Sequence, residues 1–181
     1  TAFDLNSGEG TLAQFLPEYA KVSEIGDIKG QMALFDRLIA DDGATKIVDL
    51  GHAAFEEFVT VASRIGFAAE ARRRGIAPAV LFMITPDRTS VEAYRGLHSR
   101  LPQATLAPLL NEMLGTAQHR DKYPTKGSGA ALVRLPALAP GLRRTIDKPP
   151  FSFSDTRLAN ARDIPLDVHI ELQRWLRKIY L

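Results

Sequence analysis

Apolar residues along the chain form short continuous runs that alternate with stretches of helical spacing. The runs predict strands near residues 2–5, 46–50, 77–84, 105–110 and 131–135. The stretches with apolar residues three and four apart predict helices over 28–43, 55–65, 67–74, 89–101 and 165–179. This repeated alternation predicts an α/β fold, with a doubly wound, mainly parallel sheet and helices on both faces.

The apolar run 76–84 is the clearest strand in the sequence. It is continuous rather than alternating, which is typical of a parallel strand covered on both faces. Shortly after it, residues 89–92 read Thr-Ser-Val-Glu. That pattern matches a capping box, so we expect a helix with Thr89 as its N-cap that runs to about Leu101.

Polar residues and turn residues fall at the ends of the predicted strands: Asp4, Asp49, residues 85–87, Asn111 and Pro136. Ligands of doubly wound sheets bind beyond the carboxyl ends of the strands. These residues, although far apart in sequence, are therefore expected at one edge. We expect the carboxylates of Asp4 and Asp49 within about two hydrogen-bond shells of each other.

Composition and charge exclude several classes of protein. The 181 residues suit a single domain, and 45% hydrophobic with 24% charged residues is typical of a globular protein. The net charge is +2, from 23 basic and 21 acidic residues, so no strong field favours nucleic acid. Without cysteine there is no disulfide or thiolate site. The run 76–84 is too short to span a bilayer and no signal peptide is visible, so we expect a cytoplasmic protein.

The order of the strand-end motifs resembles that of the ParA/MinD family, the deviant-Walker P-loop ATPases. Residues 3–12 (FDLNSGEGTL) resemble the segment after that family's second strand, and residues 46–51 (KIVDLG) resemble its Walker B strand. Residues 84–91 resemble its strand-to-helix turn, Asn111 occupies the position of its base-reading asparagine, and residues 135–136 resemble its late strand. The likeness spans nearly the whole chain and is closest to the TraL-like branch of conjugative transfer.

The resemblance implies a role for each site residue. Asp4 would be catalytic, near the magnesium and the attacking water, and Asp49 would hold the metal through water. Asn111 and Pro136 would bind the cofactor at its base. The implied cofactors are Mg²⁺ and ATP. The implied protein is a homodimer of the partition or transfer apparatus, with a protein partner there and nonspecific DNA as a further partner.

The chain departs from the family in one respect. The family's first strand, its K-G-G-x-G-K-[ST] loop and its first helix, about 35–40 residues as a βα unit, do not occur within residues 1–181. The expected protein is therefore a fragment or a degenerate homologue of an ATP-dependent dimeric switch. This chain alone is expected not to hydrolyse ATP above background, because the amides and the Lys that anchor the phosphates are missing.

Each assignment has an alternative that the sequence leaves open. Asp4 and Asp49 are also ordinary turn residues, and Asn111 is a common helix cap. Residues 72–74 are three arginines, which suit either the end of a helix or a contact with DNA phosphates. For the whole chain, the alternative is a non-catalytic interaction module that retains the α/β scaffold. A third option is another α/β enzyme that uses the same edge for a different phosphorylated ligand.

Overall fold

In the part of the chain that the structure describes, six short strands, all paired in parallel, form two three-stranded sheets. The computed structural model describes residues 1–6, 8, 11–85, 87–114, 123, 131–153 and 164–180. The first sheet has the order β2-β1-β3 and the second the order β4-β5-β6. The strands are β1 (Ala2–Asp4), β2 (Ala20–Val22), β3 (Ile47–Asp49), β4 (Ala79–Met83), β5 (Thr105–Asn111) and β6 (Val133–Leu135).

Helices follow most strands, as the alternating pattern predicted. They are α1 (Thr11–Phe15), α2 (Ile28–Ile39), α3 (His52–Arg64), α4 (Phe67–Arg73), α5 (Arg88–Arg100), α6 (Pro140–Ile146) and α7 (Leu166–Tyr180), with a 3₁₀ turn at Glu112–Leu114. The prediction of an α/β fold with parallel strands is confirmed. None of the helices in these described ranges is both long and apolar enough to cross a bilayer.

The expectation of one continuous sheet is wrong in the described part of the chain, because no backbone ladder joins β3 to β4. The two sheets nevertheless share one hydrophobic core. In that core α3 bridges them: Phe58 stacks on Phe35 of α2 at 5.3 Å, and Phe55 packs edge-on against Phe82 of β4 at 6.2 Å. The unpaired edges of β3 and β4 therefore belong to sheets held under the same helix.

Strand β4 is exposed on one face, contrary to the prediction of a strand covered on both. Its exposure alternates, with Leu81 64% and Met83 42% exposed while Val80 and Phe82 are packed against the core. Alternation places Leu81 and Met83 on the face opposite the core. An apolar run shows that both faces of the strand can be buried. Whether a second layer covers the outer face depends on other elements of the fold.

Helices lie on both faces of the first sheet. Phe3 is buried in the core with residues of α2 and α3, and it points to the opposite face from its neighbour Asp4. Asp4 accepts a hydrogen bond from the backbone N–H of Ala13 in α1 at 2.9 Å, so α1 lies on that second face. This short helix is what encloses Asp4.

Two helix ends differ from the sequence prediction. Helix α5 begins at Arg88 with Asp87 as its N-cap, whose carboxylate accepts from the Ser90 N–H at 2.7 Å. The capping box at 89–92 therefore placed the helix start two residues late, because the carboxylate of Asp87, rather than the hydroxyl of Thr89, caps the first turn. Helix α2 ends at Ile39 with extended backbone at Ala40, before the expected stop at Gly43.

Candidate functional site

Asp4 and Asp49 lie side by side at the carboxyl ends of neighbouring strands. Strands β1 and β3 are parallel, and their register pairs Asp4 with Asp49. Paired residues of adjacent strands present their side chains to the same face of a sheet. The prediction that these two carboxylates share a sheet edge is confirmed.

The side-chain amide of Asn6 bridges the two carboxylates. Its Nδ2 donates to Asp4 Oδ1 at 3.1 Å and to Asp49 Oδ2 at 2.9 Å. Since carboxylate oxygens are acceptors, the amide must present its NH₂ group to both. One shared donor thus links the two acids, which is within the separation expected from the sequence.

Asp4 is fully buried and well supplied with donors. Its Oδ1 also accepts from the backbone N–H of Asn6 at 2.9 Å, and its Oδ2 accepts from Ala13 in α1. Burial raises the pKa of this carboxyl, but the hydrogen bonds from Ala13 and Asn6 together outweigh it, so the pKa lies below its ordinary value. Asp4 is therefore an ionised carboxylate that ties α1 and the 4–6 turn together.

Asp49 has the opposite balance. Burial raises its pKa, the negative charge of Asp4 raises it further, and the hydrogen bond from Asn6 opposes both without cancelling them. Asp49 is therefore the carboxylate whose charge the fold does not fully compensate. A perturbed acid beside a second acid at a strand end is the pattern expected of a binding site for a cation.

Gly51 makes room for Asn6. It is the N-cap of α3, with φ −71° and ψ 165°, a conformation open to any residue. A Cβ at this position would lie 1.7 Å from Asn6 Oδ1 and 2.9 Å from Asn6 Cγ. The glycine is thus required by the neighbouring amide rather than by its own backbone. Sequence reasoning missed Asn6 and Gly51, although each stands two residues after one of the acids.

The oxygen donors of this site suit Mg²⁺, which prefers carboxylates and retains several waters. The described residues contain no group of three or more His, Cys, Asp or Glu able to hold a metal by themselves. The carboxylates of Asp4 and Asp49 both accept hydrogen bonds from the partly positive NH₂ group of Asn6. A cation would meet the same two acceptors, so the residues fit a magnesium ion completed by water and by further ligands.

Asn111 and Pro136 lie at the corresponding end of the second sheet. Asn111 ends β5, and its Oδ1 accepts from the backbone N–H of Met113 at 3.0 Å, which starts the 3₁₀ turn. Pro136 follows β6, and its carbonyl oxygen accepts from Trp175 Nε1 at 2.8 Å. Because the register pairs Asn111 with Leu135, the two residues are neighbours. Their roles at a nucleotide base stay predictions.

The turn after β4 is bonded within itself and to one buried tyrosine. Thr85 Oγ1 donates to the Asp87 carboxylate, which also caps α5. Tyr123, which is buried, donates from its hydroxyl to the Thr85 carbonyl at 2.6 Å. Pro86 lies outside the described residues. The polar groups of Thr85 and Asp87 therefore have their hydrogen-bond partners within this turn, in α5 and in Tyr123.

A cavity of about 450 Å³ lies between α1 and residues 146–153. Its wall is mainly apolar, and Asp4, Asp49, Asn111 and Pro136 do not line it.

The three arginines at 72–74 all have partners within the protein. Arg73 and Arg74 form ion pairs with Glu70 at 2.5 and 2.7 Å, and Arg72 donates a hydrogen bond to the Gln103 carbonyl. The chemically distinctive site of the described chain is therefore the Asp4, Asn6 and Asp49 cluster.

In comparisons with known proteins, no family model matches the chain, and no match was found among curated proteins or among solved structures. The geometry of this cluster and the order of the motifs along the chain are therefore what indicates a function.

Proposed function

We propose that this chain forms the greater part of an ATP-dependent dimeric switch of the ParA/MinD type, acting in the cytoplasm in DNA partition or conjugative transfer. The observation that carries the proposal is the pair Asp4 and Asp49 on adjoining parallel strand ends, joined by Asn6. Two acids on one sheet edge, one with a raised pKa, are what a magnesium and nucleotide site needs from this part of the fold.

In this proposal Asp49 would hold Mg²⁺ through water, with the ionised Asp4 beside it. When bound, Mg²⁺ supplies charge neutralisation at the phosphate oxygens. Asp4 fixes the turn at 4–6 and the start of α1 by its hydrogen bonds, so its negative charge would be held in a rigid position beside the bound metal and the attacking water. Asn111 and Pro136 would contact the base from the end of the second sheet.

The split between the two sheets supplies a place for the phosphate-binding strand. Strand β3 pairs only with β1 and strand β4 only with β5, so each has an edge of unpaired backbone groups in the described chain. Ile47 of β3 is 58% exposed and Leu81 of β4 is 64% exposed. We propose that an apolar strand from outside residues 1–181 pairs with both edges and directs its glycine-rich loop toward Asp49.

The test compares two proteins for binding of a fluorescent ATP analogue with Mg²⁺. Residues 1–181 alone are expected to bind at millimolar concentration at best, because the loop amides and Lys are missing. The same chain preceded by a family strand, loop and helix is expected to bind at micromolar concentration and to lose this binding with Asp49→Asn. The matched control is Asp42→Asn, a surface acid paired with Lys46.

Two outcomes would contradict the proposal. Micromolar binding and turnover by residues 1–181 alone would show that the absent loop is not needed. An extended protein that folds but binds no nucleotide would favour the alternative, an interaction module that retains the α/β scaffold.

A further inference from the structure

The amide of Asn6 occupies the place where the two acids converge. It gives one N–H to Asp4 at 3.1 Å and the other to Asp49 at 2.9 Å, so both of its donors are used by the site. An amide brings only a partial positive charge, while each acid carries a full negative one. The raised pKa of Asp49 agrees with this incomplete compensation, but the geometry alone establishes the contact.

The other end of the same amide is fixed by Gly51. Asn6 Oδ1 lies where a Cβ of residue 51 would be, at 1.7 Å from the ideal position. Asn6 is therefore held between two acids on one side and a bare α-carbon on the other. The Asn6 amide fits in this place because residue 51 has no side chain.

We propose that Asn6 and Gly51 form a latch on the cation site, an inference that rests on the proposed magnesium function. The Asn6 NH₂ group holds Asp4 and Asp49 together while no cation is bound, and it must leave this place before Asp49 can hold a hydrated cation beside Asp4. Asn6 is a positioning residue that competes with the metal rather than a ligand of the metal. Gly51 is the space into which the closed amide fits.

Removing the latch is expected to tighten cation binding. With Asn6→Ala the two acids face each other without a donor, so a cation no longer displaces two charge-assisted hydrogen bonds. We expect Mn²⁺, used as a probe for Mg²⁺, to bind at least about tenfold more tightly, the factor that corresponds to one of these two bonds. Titration followed by the electron paramagnetic resonance signal of free Mn²⁺ measures this without nucleotide or turnover.

Gly51→Ala tests the same latch from the opposite side. The added Cβ forces the Asn6 amide out of its seat, and the ordinary φ of residue 51 means that no backbone strain accompanies it. This variant is therefore expected to bind Mn²⁺ more tightly as well. The matched control is Gly96→Ala, because a Cβ there meets nothing within 4 Å.

The double variant decides between a latch and two unrelated effects. In the Asn6→Ala background, the contact left for a Cβ at position 51 is the Cβ of residue 6 at 3.8 Å, an ordinary distance. The double variant should consequently bind Mn²⁺ like Asn6→Ala alone. Thermal unfolding in a chelating buffer should show the same coupling, with Gly51→Ala destabilising the wild type and leaving the Asn6→Ala protein unchanged.

Several results would overturn the latch. Weaker Mn²⁺ binding by Asn6→Ala would make Asn6 a ligand, and additive effects in the double variant would separate Asn6 from Gly51. These outcomes leave the proposed function standing, provided that Asp49→Asn abolishes the Mn²⁺ binding. If neither the wild type nor any of these variants binds Mn²⁺, the latch and the cation site both fail.

Discussion

The carboxyl ends of the two sheets use their polar residues differently. At the second sheet, the side chains of Asp87 and Asn111 accept from backbone N–H groups of their own turns, those of Ser90 and Met113. At the first sheet, Asn6 serves acids on two strands, and one of them is 43 residues away in sequence. A capping side chain whose hydrogen bonds are made within its own turn needs no ligand. Two acids that share a single amide between strands carry negative charge that the amide compensates only in part.

The pKa directions express the same contrast. The pKa of Asp87 is lowered, first by the hydrogen bond from Thr85 and then by that from Ser90. Among the described carboxyl groups with a shifted pKa, Asp49 is the one whose pKa is raised. The first sheet therefore contains the acid that the fold leaves least stable in its charged form.

The largest effect is expected for Asp4→Ala, which tests whether the first sheet's end depends on its buried acid. The substitution removes a fully buried carboxylate and leaves the partly buried N–H groups of Asn6 and Ala13 without their acceptor, so we expect a loss of about 3 kcal/mol in the free energy of unfolding. Urea unfolding at neutral pH measures it. A loss below about 1 kcal/mol would show that α1 and the turn do not need this carboxylate.

Asp49→Asn should act in the opposite direction, which sharpens the contrast between the two acids. A raised folded pKa means that the ionised form is disfavoured in the fold, so wild-type stability increases as pH falls through the pKa of Asp49. An asparagine removes that charge and can still accept from Asn6. We expect a gain of up to about 1 kcal/mol at neutral pH, after allowance for solvent screening.

The pH dependence checks the sign of this second prediction. The gain from Asp49→Asn should shrink as the pH is lowered to about 4, because the wild-type carboxyl then becomes protonated. Urea unfolding of both proteins at the two pH values gives the comparison. A variant that is less stable than the wild type at neutral pH would show that the charge of Asp49 is compensated in the fold.

Asn111→Ala is expected to have the smallest effect on stability and tests whether the second sheet's end does more than cap a turn. Loss of the hydrogen bond to Met113 should cost about 0.5–1 kcal/mol of unfolding free energy. In the protein extended by the phosphate-binding strand, the predicted base contact should in addition weaken ATP binding by about 1–2 kcal/mol. Unchanged ATP affinity together with the stability loss would leave Asn111 as a cap alone.

The sequence predicted the strands and the acids at their ends because both depend on local patterns. Apolar runs that stop at a polar residue placed Asp4 and Asp49 at one sheet edge, and the register of β1 and β3 agrees. Strand β2 was missed, because Ala20–Val22 is three residues long with a lysine at its centre. A run that short gives no periodicity to detect.

Other features depend on contacts that no local pattern contains. The bridging role of Asn6 requires the pairing of β1 with β3, and Gly51 has an ordinary φ that gives no turn signal. The open face of β4 depends on which elements reach it, so an apolar composition could not reveal it. The sequence therefore identified the two acids but not Asn6, which bonds to both of them, or Gly51, which leaves room for the Asn6 amide.

The edges of β3 and β4, which are unpaired among the described residues, have a consequence for handling residues 1–181 as an isolated protein. Exposed backbone groups flanked by Ile47, Leu81 and Met83 form a template on which another polypeptide can add a strand. Such edges promote aggregation when they stay open, since β4 is apolar throughout and contains no charge or proline to interrupt the pairing. The solubility of the protein as it is concentrated would then report whether another strand pairs with the edges of β3 and β4, independently of any nucleotide.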